Sequence, residues 1–112
     1  MTYVQLSGYR IMWIMALFDL PVGTSAERKR ATGFRNQLLD LGFEMVQFSV
    51  YARFTSGQER IEALTRQIGA IVPEGGKVDI LFFTDKQYEK IVSYRGPNQG
   101  GRPQKPDQLS LF

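Results

Sequence analysis

The 112-residue sequence predicts an α+β sandwich of the order β-α-β-β-α-β. Three observations carry that reading. Two segments repeat apolar residues at the same helical spacing, apolar runs of strand length flank each of them, and cap or turn residues stand at the boundaries. The two halves look alike, which is the split βαβ, or ferredoxin-like, arrangement. It hosts many activities, so function has to be read from particular residues.

Residues 1–10 form a polar and aromatic lead-in. The run 11–18, Ile-Met-Trp-Ile-Met-Ala-Leu-Phe, has the length and composition of a buried strand, and Asp19-Leu20-Pro21 closes it as a turn. A first helix is predicted from Thr24 to Leu41. Thr24 and Glu27 make a capping box, Ala31, Phe34, Leu38 and Leu41 line one face, and Gly42 suits the left-handed stop. Gly33 sits inside this helix at a cost of about 1 kcal/mol relative to alanine, and the sequence offers no account of it beyond a close contact with a neighbouring element. Residues 43–54 are long for one strand, so a bend or tight hairpin is expected near Gln47. A second helix follows with Ser56 and Glu59 as a second capping box and Ile61, Leu64, Ile68 and Ile71 on its apolar face. Pro73 and Gly75-Gly76 end it. Lys77 to Phe83 is a further strand, and Thr84 with Gln87 caps a short turn.

The core domain spans 1–95. Residues 96–112 are a Gly/Pro-rich connector leading to the apolar end Gln108-Leu109-Ser110-Leu111-Phe112. That end alternates in a way suited to an additional C-terminal strand, added to a sheet edge of the same dimer or of a partner. A second reading is a docking peptide, because Gln-Leu-Ser-Leu-Phe looks like the peptides by which bacterial replication and repair proteins bind the sliding clamp. Gln108, Leu109, Leu111 and Phe112 are the docking residues in either case.

Strand 11–18 is apolar on both faces, and strand 77–83 nearly so. Helices cover only one face of such a sheet, so the other needs a cover. A second copy across a two-fold axis would supply it, giving a homodimer; the alternative cover is the tail.

With neither cysteine nor histidine, thiolate and imidazole chemistry are excluded: no disulfide, no Ser-His triad, no His-ligated metal. Carboxylates, hydroxyls, Lys and Arg remain. The net charge of +3 and sequence pI of about 9.4 favour an anionic partner. No run reaches the ~20 apolar residues of a membrane span. The run after Arg10 lacks a signal-peptide cleavage site, so a cytoplasmic location and no membrane partner are expected.

Asp19 is the candidate for chemistry, a carboxylate where a rigid strand ends; the other reading is an aspartate chosen for its turn. One carboxylate is a poor Mg²⁺ site, but a two-fold dimer could bring Asp19 and its symmetry mate together. Arg28 and Arg35 share a flank of the first helix, and Arg53 lies on a strand beside Tyr51. All three are candidate phosphate contacts, against the reading of a solvated surface.

Several of these motifs occur together in one family. Phe18-Asp19-Leu20-Pro21, Arg28-Lys29 with Phe34-Arg35, Leu38-Leu39 before Gly42-Phe43, Gln47-Phe48-Ser49-Val50-Tyr51 and Thr84-Asp85-Lys86-Gln87 resemble the small CRISPR-associated endoribonuclease family. That family is the lesser subunit of the spacer-acquisition complex, and the variant resembled is that of type II systems. The resemblance covers about residues 10–95. It implies a homodimer of ferredoxin-like protomers, flanked by two dimers of the larger integrase subunit. It implies that Asp19 binds Mg²⁺, with RNA or DNA hydrolysed there. It implies equally a scaffold that holds prespacer DNA and for which the nuclease site is dispensable. Both classes, enzyme and architectural DNA-binding subunit, stay open at this point.

Overall fold

The computed structural model describes residues 12–97. Its elements follow the order β1 (Met12–Asp19), α1 (Ser25–Asp40), β2 (Glu44–Gln47), β3 (Val50–Thr55), α2 (Gln58–Ile71), β4 (Lys77–Thr84) and α3 (Asp85–Glu89). The sheet order is β2-β3-β1-β4, every neighbouring pair antiparallel. This is the ferredoxin-like arrangement the sequence predicts. Residues 1–11 and 98–112 lie outside the described part, and with them the additional C-terminal strand and the docking residues Gln108, Leu109, Leu111 and Phe112.

The α1 prediction holds at both ends. Thr24 accepts from the Glu27 amide at 3.0 Å while the Glu27 carboxylate accepts from the Thr24 amide, and Gly42 beyond the last turn has φ +90. The α2 prediction needs correction. Its N-cap is Gly57, with φ +89 and ψ 132 and no side-chain cap, so Ser56 stands outside the helix and Glu59 is one position too early to close a box. The turn entering α2 needs a backbone conformation that glycine adopts freely, and that need displaces the serine. Gly33 is also unlike its expectation: a Cβ there would meet nothing within 4 Å. Nothing in the structure explains that glycine. The bend expected near Gln47 is a hairpin, with Gln47 paired to Val50 and Phe48-Ser49 as its turn.

Strand alternation divides the sheet into two faces. Met12, Ile14, Ala16 and Phe18 face α1 and α2, where Phe34, Leu38, Ile61, Leu64 and Ile68 complete a fully buried core. Phe18 meets Phe34 edge-on at 5.1 Å. Trp13, Met15, Leu17 and Asp19 take the opposite face. The cross-strand partners on that face are Phe54, Ala52 and Val50 on β3, and Phe83, Leu81, Asp79 and Lys77 on β4.

The second face is partly covered by the chain itself, which sequence reasoning did not foresee. Directly after β4, α3 is capped by Thr84 and Gln87 as predicted, and it folds back over Trp13. The Tyr88 ring stacks on the Trp13 indole at 4.0 Å and 13°. The indole N–H donates to the Asp85 carboxylate at 3.0 Å. Ala52, Val46, Phe83 and Ile91 complete this smaller cluster. It covers only the Trp13 end; toward Asp19, Leu17 is half-buried and Leu81 is exposed.

Candidate functional site at the end of the first strand

Asp19 is the last residue of β1 rather than part of the turn that follows, and it pairs with Lys77 of β4. Its side chain is exposed and shares the incompletely covered face with Leu17. Two neighbours fix its position. On one side the Phe18 amide donates to the Ser49 carbonyl at 3.1 Å, tying β1 to the Phe48-Ser49 turn. On the other, Leu20 and Pro21 lie against the Gly75-Gly76 turn. A Cβ on Gly76 would fall 2.6 Å from Leu20 Cδ2, so a larger residue there would displace the Leu20 side chain.

The carboxylates on this face are few. Asp79 stands opposite Leu17, diagonal to Asp19 across the β1–β4 pair. It is a second acidic group that sequence reading missed; the alternation Lys77-Val78-Asp79-Ile80 with the strand register would have found it. Lys77 pairs with Asp79 at 3.7 Å, and Asp19 has no ion pair among the described residues. Among the described residues no group of three or more acidic side chains is poised to hold a metal ion. At this strand end the described residues of one protomer offer Mg²⁺ the carboxylate of Asp19. That fits an ion that uses one or two carboxylates with water and phosphate, provided a second ligand comes from another copy or the substrate.

The three arginines separate. Arg28 is exposed and donates to the Val22 carbonyl at 3.1 Å, within its own loop and helix start. Arg35 reaches toward the hairpin, its guanidinium carbon 5.1 Å from the centre of the Phe48 ring. The Arg35 Nε is buried and has no hydrogen-bond partner. Arg53 lies far from Asp19. Antiparallel pairing sets it opposite Ile14, on the helix face, where it donates to the Leu41 carbonyl at the end of α1. A cation there satisfies an orphan carbonyl and the negative end of the helix dipole. Burial, and then the nearby Arg60, lower the Arg53 pKa from its ordinary value. Asp19, Ser49, Phe48 and Arg35 thus gather at one end of the sheet. Arg53 belongs to the other end, beside a cleft of about 690 Å³ lined by Asp40, Glu44, Phe54 and Arg60.

Comparison with known proteins agrees with the fold and the motifs. The family described as "CRISPR associated protein Cas2" matches residues 12–91. A protein of Paracidovorax avenae, named CRISPR-associated endoribonuclease Cas2, is 55% identical over 108 residues, covering 96% of this chain and all of that one. One of the same name from Flavobacterium psychrophilum is 42% identical over 110 residues, covering 98% and 96%. In fold, the crystal structure of Streptococcus pyogenes Cas2 at pH 6.5 is similar at a TM-score of 0.55 and 21% identity, over 75% of this chain and 99% of that one. Another Cas2 crystal structure covers 91% of this chain at a TM-score of 0.55 and 19% identity. Among the described residues no helix is long and apolar enough to cross a membrane. Ferredoxin-like topology, the Asp19 strand end and a family match across the whole described core together show that the chain belongs to the CRISPR-associated Cas2 family.

Proposed function

We propose that this chain acts in CRISPR adaptation as a homodimeric nucleic-acid-binding subunit, with a metal-dependent phosphodiesterase site at the dimer axis. The carrying observation is that the exposed carboxylate Asp19 shares a sheet face with the half-buried Leu17 and the exposed Leu81. A two-fold interface on that face buries the apolar surface and brings two Asp19 carboxylates toward each other. Mg²⁺ held there would supply Lewis-acid stabilisation of charge on a scissile phosphate. The chain's own part is to hold the carboxylates on rigid strand ends and to present cations to the flanking phosphates. RNA hydrolysis is supported by the names of the relatives.

The biological role is that of the smaller partner of the CRISPR integrase subunit. Two integrase dimers flank one dimer of this chain, and the assembly holds prespacer DNA. Arg28 and Arg35 are the phosphate contacts the geometry favours. Arg53 is the least favoured, because its guanidinium is engaged at the end of α1. The outer edge of β4 has no neighbouring strand among the described residues, which supports docking of a strand formed by 108–112 on it. Sliding-clamp binding by the same peptide is the competing role for Phe112.

The test compares wild type with Asp19→Asn on labelled single-stranded RNA and duplex DNA, with Mg²⁺ and with chelator. Loss of metal-dependent cleavage in the variant, with the dimer intact by sedimentation, is expected. Equal cleavage by both proteins removes the site. No cleavage by wild type, with spacer integration intact in the Asp19 variant, leaves the architectural role alone.

A further inference from the structure

Among the described residues Phe48 is the most exposed of the large apolar ones, at 77%, although a two-residue turn ordinarily takes Gly, Asn or Asp. Its neighbour Ser49 adopts φ +69, a conformation few non-glycine residues take. The fold gains little burial from this phenylalanine. The ring is not isolated, however: the Arg35 guanidinium lies 5.1 Å from its centre. The turn is also tied by the Ser49 carbonyl to the Phe18 amide, one residue before Asp19.

From these features we infer that Phe48 and Arg35 form a stacking platform for an unpaired nucleobase beside Asp19. The base lies on the Phe48 ring, and a neighbouring backbone phosphate accepts from the Arg35 guanidinium. Every base has a π-face, so the platform reads strandedness rather than sequence. A base inside a blunt duplex is already stacked on both sides and cannot use it. The platform therefore selects frayed ends, overhangs or single strands. This inference rests on the nucleic-acid reading above and adds to it the form of substrate preferred.

The experiment titrates the full chain with a fluorescein-labelled single-stranded oligonucleotide and, separately, with an abasic oligomer of equal length and charge. Phe48→Ala should weaken binding to the base-bearing strand about five- to hundredfold. It should leave the salt slope unchanged and bind the abasic oligomer as wild type does. Phe48→Trp should retain wild-type affinity. Arg35→Ala should reduce affinity for both oligomers and flatten the salt slope by about one unit. If wild type binds both oligomers and Phe48→Ala binds each equally well, the platform is wrong and the nucleic-acid reading stands. If wild type binds neither, both fall.

Discussion

At the scale of single residues, Arg53 has a structural task in the fold. It reaches the last carbonyl of α1, and it can do so because Gly42 has no side chain. A Cβ there would stand 3.0 Å from Arg53 Nη1, on a backbone at φ +90. Gly42→Ala should therefore destabilise the protein by about 1–2 kcal/mol, and Arg53→Ala by about 1 kcal/mol. Urea midpoints would show both; an unaltered midpoint for Arg53→Ala would return this arginine to the phosphate contacts. Tyr88 carries a second consequence. Burial, and then the Glu44 carboxylate, hold its phenol well above the ordinary value of 10. In the unfolded chain it ionises near that ordinary value, so above about pH 10 the unfolded state has lost a proton that the folded state keeps. Stability that is whole below pH 10 should fall as pH rises, and less steeply in Tyr88→Phe.

Elements show which local signals can be trusted. Thr24-x-x-Glu27 and Ser56-x-x-Glu59 are the same motif in sequence, yet only the first caps a helix. The difference is the residue after the serine. Gly57 takes a backbone conformation that passes the N-cap position to itself, so the serine hydroxyl has no amide to cap. Thr24→Ala should cost about 1 kcal/mol, while Ser56→Ala should stay within about 0.5 kcal/mol of wild type. Thermal unfolding of the two variants side by side would check this, and equal losses would mean that α2 is capped after all. The apolar faces of both helices, the hairpin near Gln47 and the Thr84–Gln87 cap were legible because each is a local pattern with a fixed period or offset. The return of α3 onto Trp13 was not. Tyr88 and Trp13 are 75 residues apart in sequence, and no periodicity encodes that they stack. The neighbourhood of Asp19 was hidden for the same reason: Asp79 and Ser49 come near it only through strand register.

For the whole molecule, the sheet face left partly open by α3 is the one on which the proposed dimer would form. Sedimentation at micromolar concentration should report about twice the 12.8 kDa chain mass. Leu81→Glu, with its side chain on that face and outside both core clusters, should give a folded species of monomer mass. A dimer that survives this change would place the interface elsewhere. Asp19 belongs to the same alternating set as Leu17, so burying the apolar face and completing the site would be one event. The kinetics inherit that coupling. Well below the dimer dissociation constant, hydrolysis would rise with the square of protein concentration, then become linear once the chain is paired. The amount of protein present, rather than any bound effector, would then switch the activity on.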